Sequence, residues 1–200
     1  GRVRLPVMEL PVILLDNRNF HEPVSAADRR RFSPAFLSKF NGLAVPTDLE
    51  FADAAWMGKD ASVSVGVEFT APVNLAESLV HSGRILEQIR RGRAVYSHYF
   101  LMVWGDTDCD KDGHYAVRRW NSVTRRTELT PVVIREPQSR RVVAGPFLYQ
   151  AVDNFLNSLA ILCGVYVKKA RDEGELDKQT IDLWAWFSKP MEDHPTRLDT

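Results

Sequence analysis

The chain has 200 residues, of which 44% are hydrophobic and 10% aromatic, so it can bury the core of one ordinary domain and is not a disordered protein. Its 26 basic and 26 acidic residues give a net charge of zero, which excludes a protein that binds polyanions through overall charge alone. No apolar run approaches the roughly 20 residues of a membrane span, and two cysteines are too few for a disulfide scaffold. We therefore expect a protein of a reducing cytoplasm.

The first structural signal is a continuous apolar run at 12–15 that ends in Asp16 and is followed two residues later by Arg18. Such a run is typical of a strand buried on both faces of a sheet. Ser33 followed by Pro34 then predicts the start of a helix, and Gly42 predicts its end.

The next stretch alternates short strands with acidic residues. Strand pieces are expected at 43–45 and 49–51, and Asp53 follows the second of them. The alternating valines from Val63 predict a strand over 63–69, with Glu68 near its end. Pro72 suits the first turn of a helix, which an apolar stripe continues to residue 80, and a second short helix follows from residue 83.

The remaining elements fall on either side of a long insertion. A buried strand is expected over 96–104, and the insertion is placed at about 107–141, with a small hairpin built from 115–117, 122–124 and 131–134 and with Trp120 packed beneath it. The strongest helix covers 147–163 and ends at Gly164. A strand at 165–167 and a helix over 177–187 follow.

Asp16, Asp53 and Glu68 each stand at or near a strand end, where neighbouring strands can bring them together. Carboxylates packed side by side repel one another unless a hard divalent cation neutralises them, and oxygen ligands suit Mg²⁺ or Mn²⁺. These three acids are therefore the candidate metal ligands. The open alternative is that they are three unrelated turn acids.

Glu68 also begins a spaced set of residues, which consists of Val67-Glu68, Asn74-Leu75, Ser78-Leu79, Gly83-Arg84 and Glu87-Gln88. The set resembles the nuclease signature of the XPF-type structure-specific endonucleases, in which a strand ends in Val-Glu-Arg-Lys and an Asp-Leu, a Gly-Arg and a Glu-Gln follow. Asp16 with Arg18 and Asp53 match further acidic motifs of that family. The chain departs from the signature at Phe69, Thr70 and Asn74, where the family has Arg, Lys and Asp.

The resemblance implies an α/β fold of the restriction-endonuclease-like type, with a mixed central sheet flanked by helices. It implies one nuclease-like domain over 1–188, with the β-rich insertion, and a flexible C-terminal tail over 189–200. It also implies a metal-dependent endonuclease that cleaves branched or junction DNA and pairs as a homodimer or with a partner protein. The apolar faces of the helices at 147–163 and 181–187 either form such a dimer interface or pack into the core. A compact nuclease of this kind suits DNA repair, recombination or a phage, in the host cytoplasm and in some cases at the nucleoid.

In this interpretation the catalytic residues are Glu68, Asp53, Asp16 and Arg84, and the DNA-binding residues are Arg18, Arg84, Arg90, Arg91, Arg118 and Arg119. Thr70 lies on the same strand face as Glu68 but carries no positive charge.

Two other functions remain open. The first is a pseudo-nuclease that keeps the fold and binds DNA or a protein, which the departures at Phe69, Thr70 and Asn74 favour. The second is a calcium site in residues 108–113, which read Asp-x-Asp-x-Asp-Gly like the first half of an EF-hand loop. Arg119 stands where the closing Glu of such a loop is required, so an acidic turn is the simpler interpretation.

Overall fold

A computed structural model describes residues 10–20, 32–59, 62–81, 83–190 and 194, with the side chains of 83 and 84 left out. Within these residues no helix combines the length and the apolar character needed to cross a bilayer. The predicted C-terminal tail, 189–200, lies mostly outside the described residues.

A central sheet of six strands organises the part of the chain that the structure describes. In chain order these strands are β1 (Ile13–Asp16), β2 (Ala44–Thr47), β3 (Ala54–Met57), β4 (Ser64–Thr70), β5 (His98–Trp104) and β11 (Tyr166–Ala170). Their order across the sheet is β2-β1-β3-β4-β5-β11. β3 is antiparallel to both of its neighbours, and the other pairings are parallel. This mixed sheet confirms the predicted fold class.

The strand directions bring several chain segments to one end of the sheet. Because β3 runs against both β1 and β4, these two strands point the same way, as do β2, β5 and β11. Asp16 ends β1, Glu68 lies two residues before the end of β4, and Asp53 immediately precedes β3. We call this the carboxyl end of the sheet, and it is where all three predicted acids lie.

Five helices pack on the two faces of the sheet in the described part of the chain. They are α1 (Pro34–Ser38), α2 (Pro72–Val80), α3 (Gly83–Val95), α4 (Tyr149–Cys163) and α5 (Glu173–Phe187). Aromatic side chains of α1 and α5, among them Phe36 and Trp184, pack on one face against Val65 and Val67. Side chains of α2, α3 and α4 cover the other face, where Tyr99 is fully buried.

Local sequence signals explain where these helices begin and end. The Ser33 hydroxyl accepts a hydrogen bond from the Phe36 amide at 3.1 Å, as an N-cap does. Pro72 occupies the first turn of α2. Gly164 ends α4 with φ +64°, a conformation that glycine adopts without a side-chain clash. The Asp172 carboxylate caps α5 by accepting from the Glu175 amide at 2.8 Å.

The insertion is built from two small β-structures. One is a three-stranded sheet of β6 (Thr107–Cys109), β7 (Tyr115–Asn121) and β8 (Arg126–Pro131), and the other pairs β9 (Ile134–Arg135) with β10 (Val142–Ala144). The expected hairpin therefore exists, but its strands are longer than predicted. Residues 122–124 form the turn and not a strand, since the Asn121 side chain accepts hydrogen bonds from the Val123 and Thr124 amides. The prediction that Trp120 packs beneath the hairpin is wrong, because this side chain is 66% exposed.

Three predicted boundaries also need correction. Residues 49–51 form no strand, and the single edge strand β2 contains Pro46, which an edge position tolerates. α4 begins at Tyr149, two residues later than predicted. α5 begins at Glu173 and not at 177, because Asp172 is the residue that caps it.

Candidate active site

Asp16, Asp53 and Glu68 each lie one residue beyond a row of paired residues on three neighbouring strands. That row consists of Leu15, Ala54 and Val67. The Asp16 amide donates to the Asp53 carbonyl at 2.8 Å, and the Asp53 amide donates to the Val67 carbonyl at 2.8 Å. The sheet therefore fixes the backbones of all three acids next to one another at its carboxyl end.

Asp16 is fully buried, at 1% exposure, and its charge is met by Arg18. The Arg18 guanidinium binds the Asp16 carboxylate, while the Arg18 amide donates to the same carboxylate at 3.2 Å. Arg18 also donates to the Leu49 carbonyl at 2.8 Å. The hydrogen bond to Asp16, together with the charges of Asp16, Asp53 and Glu68, raises the pKa of Arg18, although partial burial opposes this. Arg18 is thus the cation of the acidic row.

Asp53 is held by two donors. Asn19 donates from its side-chain amide to one carboxylate oxygen at 2.9 Å, and the Phe69 amide donates to the other at 2.8 Å. Burial nevertheless raises the pKa of Asp53, and the charge of Asp16 adds to this, while the two hydrogen bonds and Arg18 oppose it. The site therefore holds Asp53 in a fixed orientation at an electrostatic cost.

The surroundings of Glu68 disfavour its ionised form. Burial raises its pKa well above the usual value of 4.5, and the charge of Asp53 adds to the effect. A hydrogen bond from the Gln88 side chain and the charge of Arg18 act in the opposite direction. The Oε2 atom of Glu68 is buried and has no hydrogen-bond partner among the described residues. A buried carboxylate oxygen with no donor is costly unless a proton or a cation meets it.

The hydroxyl of Tyr99 ties the segment before Asp53 to the sheet. It donates to the Phe51 carbonyl at 2.6 Å. Burial, together with the charges of Glu68 and Asp53, raises the pKa of Tyr99, so the phenol stays protonated and keeps this hydrogen bond. Neither Tyr99 nor the donors Asn19 and Gln88 were identified as site residues from the sequence, although Gln88 stands in the Glu-Gln pair of the signature.

The donor set fits a divalent cation in part. Glu68 offers a buried oxygen with no partner among the described residues, and the charge of Asp53 contributes to the raised pKa of Glu68, so the two carboxylates repel each other and a cation between them would relieve the repulsion. Mg²⁺ is commonly held by one or two carboxylates and keeps several waters. Asp16 fits less well because Arg18 already neutralises it. The ligand oxygens of the three acids are not all within 4.8 Å of one another.

Among the described residues, ligand atoms that do come within 4.8 Å of one another belong to Asp110, Asp112 and His114. They lie in the turn between β6 and β7, so strands flank the segment and not the helices of an EF-hand. One oxygen of Asp110 accepts hydrogen bonds from the Asp112 and His114 amides, at 2.9 Å and 2.8 Å. This carboxylate therefore shapes the turn.

The two departures that follow Glu68 lie on opposite faces of β4. Phe69 is buried in the aromatic layer, with its ring 6.1 Å from that of Phe32, so it is a core residue. Thr70 lies on the Glu68 face, is 4% exposed, and has its hydroxyl 3.5 Å from the Ala71 carbonyl. Thr70 supplies no positive charge at this position. Among the described residues, Arg18 is a cation whose charge lowers the pKa of both Glu68 and Asp53.

The other predicted arginines whose side chains are described lie outside the acidic row. Arg90 and Arg91 are exposed on α3 and pair with Glu87, at 3.8 Å and 2.7 Å. Arg118 pairs with Asp106 and Asp108, and Arg119 is exposed on β7. Arg84 belongs to α3, but its side chain lies outside the described residues. The DNA-binding role of these arginines stays a prediction.

Comparison with known proteins agrees with the architecture. The chain is similar in structure to XPF from Aeropyrum pernix, with a TM-score of 0.53 and 18% identity over 90% of this chain and 67% of that chain. It is also similar to XPF from Aeropyrum pernix in complex with DNA, with a TM-score of 0.52 and 19% identity over 94% and 68% of the two chains. No protein-family model and no curated protein sequence matches the chain. The likeness shows that this chain has an XPF nuclease-like mixed α/β fold.

Proposed function

We propose that this protein is a metal-dependent DNA endonuclease that hydrolyses phosphodiester bonds in branched or junction DNA. The observation that carries the proposal is the buried Oε2 atom of Glu68, which has no hydrogen-bond partner in the described part of the chain and lies beside Asp53 at the carboxyl end of the sheet. A fold shared with XPF, one of whose structures contains DNA, supports the choice of substrate. Uncharged side chains at these positions would not repel one another, so the presence of the acids favours a role that requires a cation.

Glu68 and Asp53 would hold Mg²⁺ or Mn²⁺, with Asp16 as the third acidic neighbour. When bound, the cation supplies Lewis-acid activation of water and of the scissile phosphate. Gln88 orients the Glu68 carboxylate through its hydrogen bond, and Asn19 and the Phe69 amide orient that of Asp53. These contacts fix the two acids before substrate binds, which is how a site avoids reorganisation during the reaction.

Arg18 is the proposed source of the positive charge that Thr70 does not supply. Its side chain is about half exposed, at 51%, and its charge lowers the pKa of both Glu68 and Asp53. A guanidinium can bind a phosphate through two hydrogen bonds. On this proposal Arg18 contacts the backbone of the substrate while it retains Asp16, and Arg84 is a second candidate contact on α3.

A second candidate function is a pseudo-nuclease that binds DNA without cleaving it. The observation in its favour is that Arg18 already neutralises Asp16, so part of the acidic row is balanced without a metal. The charge missing at Thr70 acts in the same direction, since removal of one electrostatic contributor typically costs about 10²- to 10³-fold in rate.

Cleavage of labelled linear, flap and four-way-junction DNA in Mg²⁺, Mn²⁺ or EDTA distinguishes the two functions. We expect cleavage that requires the metal and is lost in Glu68→Gln, which keeps the size of the side chain. Glu173→Gln is the matched control, because Glu173 is an exposed residue of α5, a helix that packs on the opposite face of the sheet. DNA binding without cleavage, unaffected by Glu68→Gln, would establish the pseudo-nuclease instead.

We also propose that the protein pairs with a second copy through the end of α4. Val152 and Leu156 of α4 and Trp184 of α5 are buried in the core, so the main apolar faces of these helices are core surfaces. Ile161 and Leu162 are exposed, at 79% and 81%, and provide an apolar surface beyond that core. Sedimentation over a range of concentrations should show a dimer that Leu162→Asp dissociates, and a wild-type monomer at every concentration would contradict the proposal.

A further inference from the structure

The hairpin of β7 and β8 extends beyond the sheet that supports its base. β6 pairs with only the first three residues of β7, Tyr115 to Val117. β7 and β8 remain paired from there to Asn121 and Arg126, next to the turn. Within the described residues, the part from 118 to 129 is thus a two-stranded ribbon, and we call it the ribbon.

The ribbon exposes large apolar side chains that do not stabilise it. Trp120 is 66% exposed and lies opposite Thr127, and Val123 in the turn is 90% exposed. Two-stranded ribbons are marginally stable in water, and a buried tryptophan would contribute much more to such a structure than an exposed one. The position of Trp120 therefore points to a binding role.

The ribbon and the hairpin that follows it are strongly basic in a chain whose net charge is zero. Residues 115–144 contain seven arginines and two glutamates. Glu128 accepts hydrogen bonds from Thr124 and Asn121 at 2.6 Å and 2.9 Å. Arg119 and Arg126 are exposed on the face of the ribbon opposite Trp120, because side chains alternate along a strand, and Arg125 is exposed in the turn. This charge is complementary to a polyanion.

The insertion rises from the same end of the sheet as the acidic row. β4 and β5 are parallel, with Thr70 in register with Val103, so both strands end together. Gly105 follows β5 directly, and a Cβ atom at this position would lie 2.9 Å from the Pro72 ring that begins α2. The chain thus enters the insertion next to the segment that leaves Glu68, so the insertion that carries the ribbon starts at the end of the sheet where the acidic row lies.

We propose that the ribbon binds unpaired nucleotides of the DNA substrate next to the cleavage site. Trp120 stacks on a base, and Arg125 in the turn contacts a flanking phosphate. Aromatic side chains stack on any unpaired base, whereas the bases of an intact duplex are already stacked on one another. The inference deepens the proposed function and rests on it for the identity of the substrate, and it specifies DNA with single-stranded segments.

Fluorescence anisotropy in EDTA measures this binding without cleavage. The probes are a splayed duplex with single-stranded arms and a blunt duplex that contains the same number of nucleotides. We expect Trp120→Ala to weaken binding of the splayed duplex by roughly 5- to 140-fold, the range for loss of one stacked base, and to leave the blunt duplex unchanged. Trp120→Phe should retain most of the affinity, because it keeps an aromatic face. Arg125→Ala should weaken binding of both probes and reduce the slope of log K against log salt concentration by about 1.

Equal binding of the splayed duplex by wild type and Trp120→Ala overturns the proposal, as does an equal loss on both probes or the absence of DNA binding by the wild type. The proposed nuclease can fail independently. Selective loss in Trp120→Ala by a protein that does not cleave DNA supports the ribbon proposal and refutes the nuclease. Cleavage that depends on Glu68, with Trp120→Ala unaffected, supports the nuclease and refutes the ribbon proposal.

Discussion

Glu68→Gln is expected to stabilise the protein at neutral pH when no divalent metal is present. The wild-type side chain is half-buried next to Asp53, and its buried Oε2 atom has no hydrogen-bond partner among the residues that the structure describes. Glutamine has nearly the same size and can still accept the hydrogen bond from Gln88. It removes the negative charge and presents an amide donor to the acidic row, so the repulsion from Asp53 is replaced by attraction.

The direction of the pH dependence follows from the raised pKa of Glu68. The folded protein holds the Glu68 proton more tightly than the unfolded chain, whose glutamate titrates near 4.5. As the pH rises from about 4.5 through the raised pKa, the folded state must ionise a buried group, and the free energy of unfolding falls. The raised pKa of Asp53 acts in the same direction. The advantage of Glu68→Gln should therefore be absent at acidic pH and complete above the raised pKa.

The size of the effect is set by the cost of a buried polar group that has no partner, which is about 1–3 kcal/mol. For a chain of this length, each kcal/mol changes the melting temperature by about 2–4 °C. Urea unfolding in EDTA at several pH values, on wild type, Glu68→Gln and the control Glu173→Gln, measures the difference. If Glu68→Gln is no more stable than wild type at pH values well above neutral, or if the gap does not widen with pH, the electrostatic description of the site is incorrect.

Three further predictions test neighbouring parts of the argument. Saturating Mg²⁺ should stabilise the wild type, by about 2.7 kcal/mol at 100 times its dissociation constant, and Glu68→Gln much less, as thermal unfolding can show. Arg18→Met should destabilise the protein by about 1–3 kcal/mol, because it leaves the buried Asp16 carboxylate without its partially exposed partner, and adding Asp16→Asn should recover part of the loss. Leu156→Ala should cost about 2–5 kcal/mol and Asn154→Ala less than about 0.5 kcal/mol, since Leu156 is 4% exposed and Asn154 lies on the exposed side of α4; equal losses in urea unfolding would contradict the assignment of the buried face of α4.

The acidic row was predictable because short patterns determine it. Each of Asp16 and Glu68 follows apolar residues that form a buried strand, and side chains near strand ends converge when the strands run parallel. The sequence does not contain the pairing order, which depends on contacts between distant segments. The placement of antiparallel β3 between β1 and β4 brings Asp53 into the same row, and only the structure shows it.

The partners of these acids were harder to predict, because they depend on how individual side chains turn. Arg18 was expected to contact DNA, and the structure shows it bound to Asp16 two residues earlier in the chain. Asn19 belongs to the short helical turn after β1, and its amide reaches Asp53 across 34 positions of sequence. No periodicity indicates such a contact.

The errors in the insertion have a local cause. Apolar and polar residues alternate around Trp120, as they do in a strand. A two-stranded ribbon, however, has no buried face against which an aromatic ring can pack. Asn121 followed by Ser122 was the available signal for a turn, since asparagine side chains commonly accept hydrogen bonds from amides a few residues later. The same kind of signal, Asp172 followed by Glu175, would have located the start of α5.

The departures from the nuclease signature differ in what they imply about activity. Phe69 faces the aromatic layer, so an arginine there would have to leave the core or bury a charge, and the replacement by phenylalanine is explained by packing alone. Thr70 faces the same side as Glu68, so its lack of charge bears on chemistry. Arg18 lies close enough to lower the pKa of both Glu68 and Asp53, and its side chain remains half exposed. DNA cleavage therefore depends more on a contact between Arg18 and a phosphate of the substrate than on the match to the signature.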